Sequence, residues 1–554
     1  MRGRQVFMEC LIAHGVERIF GNPGTTESPL IDCLPDYPSI EYVLALHEGV
    51  ALCAASYYAQ ASGKPAAVNM HVAPGLGNAM GMLYCAMKAN SPLLVTAGQQ
   101  DTRMRLRDPL LSHDLVGMAA SVTKWSAQVE RADEMAPILR RALKIATDAP
   151  AGPVFVALPI DVMEQETDIA PSGPGRLHRA PPADPAAVAQ LAALLLASRR
   201  PAIVVGDDVA RAGADEAVMA LAEAVGAAVW YEGLRAQASV STEHPNVRSA
   251  VSFDAAGIRK SLDGADCVLL IGGPFFEEVW FSPGEPFSEG ATVAQIEEAP
   301  QRLAYNFTLG CGIVGALGQT AAALRAEIEA KGAASFKAAA KGRNAELKAL
   351  KAQEADARKS RLQKAWERTP ISMPRAMAEL RAGSPADAIV VDETITANLD
   401  LARSFEFRKP GDYFSGRGGA IGQGLAGAIG VKVACPDRPV LAISGDGSAM
   451  YSIQALWSAA HHDLAIVFVI LANREYRVLK HNLDIYRQRF DAPSNRAYPH
   501  MDLTAPNLDF VALAQGMGVA ATRVEKGDDL RGAVERAFRS GKPHLIEVRV
   551  EGKR

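Results

Sequence analysis

The stretch 440–473 constrains this chain more than any other. The apolar run Val440-Leu441-Ala442-Ile443 has strand length and follows a proline. Ser444-Gly445-Asp446-Gly447-Ser448 then breaks it with two glycines around a carboxylate. A helical pattern comes next, with Ile453, Leu456, Trp457 and Ala460 on one predicted face. A second apolar run, Ala465 to Leu471, ends at Ala472-Asn473. Strand, glycine turn, helix and strand make a parallel βαβ unit with a right-handed crossover. Asp446 and Asn473 therefore fall at carboxyl ends of strands, where α/β sheets bind ligands. An aspartate and an amide oxygen, with a backbone carbonyl beside them, suit a hard divalent ion such as Mg2+ that carries a phosphate and keeps some waters.

Size and composition agree with an α/β-type chain. A chain of 554 residues has room for about three domains. A net charge of −4 without a long basic run argues against nucleic acid and against an anionic membrane surface. The seven cysteines are odd in number and show no close pairs, which predicts free thiols in a reducing cytoplasm rather than disulfides or a zinc site. The N-terminus carries Glu9 within an amphipathic pattern rather than a signal-peptide core. No apolar run approaches the roughly 18 residues that span a bilayer.

Along the chain, polar groups recur at the ends of predicted strands. Residues 16–20 read as a strand leading into Gly21-Asn22-Pro23-Gly24-Thr25-Thr26-Glu27. The strands at 41–46, 66–70 and 92–96 end respectively in His47-Glu48-Gly49, in His71, and in Ala97-Gly98-Gln99-Gln100. Residues 170–185 read as a linker rich in Pro, Gly and Ala. A second α/β region of Rossmann type follows, without the Gly-x-Gly-x-x-Gly that would support a dinucleotide. Residues 333–368 are rich in Ala, Lys, Glu and Arg and predict a solvated connecting helix whose basic residues face water. The last third starts near Pro370, with a strand at 389–391 and a glycine-rich entry, Gly416 to Gly430, into a small-residue helix.

Gly445-Asp446-Gly447 followed, after a helix and strand, by Asn473 resembles the metal and diphosphate motif of thiamin-diphosphate (ThDP) enzymes. The family's usual Asn-Asn end is Ala472-Asn473 here. Gly21-Asn22-Pro23-Gly24-Thr25, Asn69-Met70-His71, Gly77-Asn78-Ala79-Met80-Gly81 and Thr96-Ala97-Gly98-Gln99-Gln100 extend the likeness. So do Lys124-Trp125-Ser126, Ala151-Gly152-Pro153-Val154 and Ala455-Leu456-Trp457. Together they resemble the ThDP-dependent 2-oxo acid decarboxylase/carboligase family, and within it the benzoylformate decarboxylases.

The resemblance implies three doubly wound parallel-sheet α/β domains: a pyrimidine-binding domain over 1–170, a Rossmann-like middle domain over 186–330 and a diphosphate-binding domain over 370–554, with 331–369 a helical linker. It implies ThDP and Mg2+ as cofactors. Asp446, Asn473 and the carbonyl of Glu475 would bind the metal. Thr394, Thr396, Gly447, Ser448 and Tyr476 would hold the cofactor, and Ile421 would be the apolar wedge that bends it. Glu48 would share a proton with the aminopyrimidine, His71 would transfer protons during turnover, and Thr25, a serine in that family, would bind the substrate carboxylate. The expected activity is non-oxidative decarboxylation of a 2-oxo acid to an aldehyde, a carbon–carbon lyase reaction with carboligation open as well. A homodimer is the expected minimum and a homotetramer the expected assembly, with Glu48 of one subunit meeting the diphosphate domain of another.

One departure stands out. Where the family carries a second catalytic histidine, this chain reads Pro274-Phe275-Phe276-Glu277-Glu278-Val279-Trp280-Phe281, with Val279 at the aligned position. Either Glu277, Glu278, His113 or His481 substitutes, or this chain does not decarboxylate benzoylformate well. Arg103, Arg105, Arg107, Arg477 and Lys480 could meet an anionic substrate or could be surface residues. Three alternatives follow: an acetolactate-synthase-like carboligase, a 2-hydroxyacyl-CoA lyase, and a ThDP-binding protein without turnover.

Overall fold

The computed structural model describes residues 1–177 and 181–552. The linker expected over 170–185 thus falls partly outside the described residues. Three six-stranded sheets carry the α/β architecture. The first contains β1 (Arg18–Gly21), β2 (Glu41–Leu44), β3 (Ala66–Met70), β4 (Leu93–Gln99), β5 (Ser126–Gln128) and β6 (Val154–Pro159), in the order β2-β1-β3-β4-β6-β5. The second contains β7 (Pro201–Val205), β8 (Ala228–Tyr231), β9 (Val247–Ala250), β10 (Cys267–Ile271), β11 (Thr292–Glu297) and β12 (Cys311–Val314), in the order β12-β11-β10-β7-β8-β9. The third contains β13 (Ile389–Glu393), β14 (Tyr413–Ser415), β15 (Val440–Gly445), β16 (Ile466–Ala472), β17 (Ala520–Val524) and β18 (His544–Arg549), in the order β14-β13-β15-β16-β18-β17.

The central strands are apolar runs because helices cover both faces of a parallel sheet. Every residue of β3, β4, β6, β10 and β16 is buried. By contact density the chain forms two units. One holds residues 1–177, 365–405 and those from 415 onward, with the first sheet and the body of the third; the other holds the second sheet. In the first unit the helix Glu48–Ser62 lies along the helix Gln423–Ala434, with Cys53 Sγ donating to the carbonyl of Gln423.

One local expectation is refined and another is corrected. The helix expected after the glycine turn runs Ala455–His461, and the turn itself holds a further short helix, Asp446–Ala449. Turns in which Tyr451 and Ser452 donate to the carbonyls of Ser448 and Ala449 separate the two helices. This separation confines the short helix to the strand exit and makes Asp446 its opening residue. In the second unit, the helix Ala334–Ala365 does not keep all its basic residues in water. Arg343 donates to the carbonyls of Val225 and Gly226, which end the helix Asp215–Val225 and would otherwise lack partners. Lys351 Nζ donates to the carbonyls of Thr242, His244 and Val247, and its burial pushes its pKa down to about 8. No helix among the described residues is long and apolar enough to cross a membrane.

Candidate active site

The carboxyl edge of the first sheet gathers the predicted acid–base groups. His71 directly follows β3 and opens the helix Val72–Lys88 as its N-cap residue. Its ring is partly exposed, and Nδ1 lies 2.8 Å from Glu27 Oε2. Glu27 is buried and accepts three further hydrogen bonds: from the Gly24 N–H at 2.8 Å, the Gly98 N–H at 2.9 Å and the Thr26 hydroxyl at 2.8 Å. Both backbone N–H groups must donate, so both carboxyl oxygens act as acceptors. The geometry therefore favours a proton on His71 Nδ1 and leaves Nε2 as the working nitrogen. Gly24 is needed because a Cβ there would collide with the His71 ring. Sequence reasoning passed over Glu27. Its only signal was a carboxylate in the loop after β1, and nothing local ties it to a histidine 44 residues away.

Glu48 begins the helix Glu48–Ser62 and is 8% exposed. Asn78 Nδ2 donates to its Oε2 at 3.0 Å, and Gly75 leaves room for its Oε1. Thr25 lies exposed at the start of the turn Thr25–Glu27, on the same loop as Glu27. Thr25, Glu48 and His71 thus share one sheet edge.

The remaining predicted residues meet at the carboxyl edge of β13, β15 and β16. Asp446 is buried, and its Oδ1 and Oδ2 accept the N–H groups of Gly447 at 2.8 Å and Arg474 at 2.5 Å. Burial is the largest influence on its carboxyl and raises the pKa to about 6, against the pull of those N–H groups. Arg474 adopts a left-handed conformation (φ 61°), which turns the chain between Asn473 and Glu475. Asn473 Oδ1 accepts the Glu475 N–H at 3.0 Å. The Tyr476 ring packs on Gly447, where a Cβ would come within 2.5 Å of Cε1. Ser448 is buried in the same short helix.

Register places Thr394 beside this turn, because Glu393 pairs with Ser444 across β13 and β15. The Thr394 hydroxyl is buried without a hydrogen-bond partner, while Thr396 is exposed. Half-buried Ile421 precedes Gly422, whose N–H donates to Glu393 at 2.6 Å. The loop bearing Ile421 also touches the first-sheet domain, with Gly418 against Tyr84 and Cys85. Those residues follow Asn78, the partner of Glu48, by six and seven positions along one helix. That separation is about 10 Å at 1.5 Å per residue.

Several charged candidates have internal partners. Lys480 pairs with Glu475 at 2.5 Å and with Asp502 at 2.6 Å. Arg477 reaches the carbonyl of Glu551 at 3.5 Å. Arg103 pairs with Asp101 at 2.5 Å, and Arg105 pairs with Glu130. These contacts make them structural before they are substrate ligands. Among the candidates for the second histidine's role, Glu278 accepts the Ala255 N–H at 2.9 Å, and Val279 is exposed. His481 is exposed on the helix Arg477–Arg489. His113 is exposed and offers its carbonyl to the Gln99 side chain at 2.9 Å. Because Gln99 ends β4, the strand beside β3, His113 shares the sheet edge of His71.

Comparison with known proteins gives this geometry its family. The chain matches the N-terminal TPP binding domain of thiamine pyrophosphate enzymes over residues 1–118, their central domain over 188–324 and their C-terminal TPP binding domain over 396–548. It is 34% identical to benzoylformate decarboxylase of Pseudomonas aeruginosa over 547 residues, covering 98% of this chain and 97% of that protein. It is 25% identical to the large subunit of acetolactate synthase isozyme 2 of Escherichia coli over 565 residues, covering 100% and 96%. Among solved structures, the ThDP-dependent 4-hydroxybenzoylformate decarboxylase of Rhodococcus jostii superposes with a TM-score of 0.85 at 29% identity, covering both chains fully. Benzoylformate decarboxylase of Polynucleobacter necessarius gives 0.86 at 26% identity, covering 99% of this chain and 98% of that one. Three matched domains and a full-length relative above 30% identity place this chain in the thiamine pyrophosphate enzyme family.

Proposed function

We propose that this protein is a ThDP- and Mg2+-dependent decarboxylase that converts a 2-oxo acid to an aldehyde. The observation that carries the reading is the pairing of partly exposed His71 with buried Glu27, on the sheet edge that also holds Glu48 and Thr25. Decarboxylation leaves a carbanion equivalent that must be protonated, and an oriented imidazole at the cleft is suited to that task. The full-length likeness to a benzoylformate decarboxylase supports the same reading.

The residues present fit the cofactor. The buried, unpartnered Thr394 hydroxyl suits a phosphate oxygen. Asp446 is a desolvated carboxylate beside Asn473 and the turn at Glu475, an oxygen-rich donor set for Mg2+. When bound, the coenzyme would supply an electron sink for the bond pair left behind as carbon dioxide departs. The chain's own residues do the rest. Glu48, oriented by Asn78, would face the aminopyrimidine and could exchange a proton with it. Thr25 offers a hydroxyl to the substrate carboxylate, and His71 Nε2 delivers the proton to the product carbon. Asn78, the partner of Glu48, and the Tyr84–Cys85 pair beside the Ile421 loop lie about 10 Å apart along one helix. The family likeness supports a homodimer or homotetramer in which another subunit closes the site. The seven cysteines are free, which fits a reducing cytoplasm.

The test is carbon dioxide release from benzoylformate and from aliphatic 2-oxo acids, with ThDP and Mg2+ present. Release with stoichiometric aldehyde is expected, and no release from any 2-oxo acid would overturn the reading. A second reading, carboligation, is favoured by the similarity to acetolactate synthase. It predicts that an added aldehyde or second oxo acid is consumed in step with carbon dioxide.

A further inference from the structure

Glu393 ends β13, one residue before Thr394, and no step described so far uses it. Its carboxylate is buried and surrounded by donors. Oε1 accepts the N–H groups of Gly422 at 2.6 Å and Gln423 at 2.8 Å. Oε2 accepts the Gly424 N–H at 3.0 Å and the Ser444 hydroxyl at 3.1 Å. The three backbone donors are consecutive and open the helix Gln423–Ala434, whose start otherwise leaves N–H groups unpaired and carries partial positive charge. The fourth donor belongs to another element, since Ser444 sits opposite Glu393 on β15. Gly424 permits this close approach, because a Cβ there would lie 2.8 Å from the Glu393 Cβ.

The position of each anchor is informative. Thr394 adjoins Glu393 in sequence, Ile421 adjoins Gly422, and Ser444 stands two residues before Asp446. One carboxylate therefore ties together the strand exit bearing the orphan hydroxyl, the loop bearing the apolar wedge, and the strand that delivers the metal carboxylate. A simple helix cap would need only the backbone donors. The bond to Ser444 adds a cross-strand tie that capping does not require.

We infer that Glu393 is the positioning residue of the coenzyme cradle, setting the spacing among Thr394, Ile421 and Asp446 and hence how tightly the chain holds ThDP. The inference rests on the cofactor reading given under Proposed function. Glu393→Gln keeps the shape but places an amide N–H2 either against the Gly422 and Gln423 N–H groups or against the Gly424 N–H and the Ser444 hydroxyl, so at least one backbone N–H loses its partner. The measurement is ThDP binding to the full-length protein, freed of bound ThDP and held at saturating Mg2+, followed by calorimetry or protein fluorescence. The thermal midpoint is recorded in parallel.

Glu393→Gln should raise the half-saturating ThDP concentration by about ten-fold or more, and Ser444→Ala, which removes one donor of four, by about three-fold. Glu393→Asp, which keeps the charge, should fall between the Gln variant and the unaltered protein. A lower thermal midpoint with half-saturation unchanged within two-fold in folded variants would reduce Glu393 to a helix cap and overturn the inference. Should Glu393→Gln not fold, Ser444→Ala decides by the same criterion. Failure of the unaltered protein to bind ThDP would instead overturn the cofactor reading, and this inference with it.

Discussion

Replacing Glu27 by Gln isolates the proton-transfer arrangement. Glu27 is buried, and its two oxygens receive the N–H groups of Gly24 and Gly98, the Thr26 hydroxyl and His71 Nδ1, all within 2.9 Å. Gln keeps the volume but turns one acceptor into a donor. If the amide nitrogen takes the place of Oε2, it faces Gly24 N–H and His71. The imidazole must then accept at Nδ1 and carry its proton on Nε2, the reverse of the tautomer the carboxylate imposes. If the nitrogen takes the place of Oε1, the Gly98 N–H loses its buried acceptor instead. A hydrogen bond to a charged group is worth about 1.5–3 kcal/mol, so kcat should fall by roughly 10- to 100-fold. The ThDP half-saturation should stay unchanged, because Glu27 touches none of the third-sheet residues that hold the cofactor in this reading. Steady-state kinetics of carbon dioxide release separate these quantities, with circular dichroism as the check on folding. A variant with unaltered kcat and an unaltered pH profile would refute the role assigned to the pair.

Three further outcomes are expected. Glu48→Gln should lower turnover of every 2-oxo acid by at least about 100-fold, since the proton shared with the aminopyrimidine is lost; unchanged rates would refute the activation route. Chelation should abolish activity and added Mg2+ should restore it, and an unaffected rate after exhaustive chelation would remove Asp446 and Asn473 from the proposed metal site. Glu297 ends β11 in the second sheet, where burial raises its carboxyl from 4.5 to about 7, with Gln295, Asp208, the Gly273 N–H and Arg302 as smaller influences. Between those values the unfolded chain ionises while the folded one retains its proton, so stability contributed here falls as pH rises, and the full cost of about 3 kcal/mol is present above pH 7. Glu297→Gln should therefore raise the thermal midpoint at pH 8 and leave it unchanged near pH 4; an equal shift at both values would refute the assignment.

The sheet cores and the points where ligands can gather are written in the local pattern of the chain. Runs such as Ala66–Met70 and Cys267–Ile271 are strands over the residues expected, because burial on both faces of a parallel sheet demands continuous apolar side chains. Glycines and short polar runs at the strand ends located Glu48, His71, Asp446 and Asn473. Period and composition are local properties, so they are legible in a single chain.

Which of these groups act together is set by the folded arrangement. The ties between Glu27 and His71, and between Glu393 and the helix start at Gly422, join residues distant in sequence through strand register, which no local pattern encodes. The same holds for Lys480, which by sequence could be a surface residue or meet an anionic substrate, and which the fold commits to Glu475 and Asp502. The short helix Asp446–Ala449 inside the glycine turn was likewise not legible, because it is set by local backbone hydrogen bonds rather than by apolar periodicity. Hydrophobic pattern fixes where chain is buried; the pairing of polar groups within that buried space depends on three-dimensional neighbours, each of which must find a partner once water is excluded.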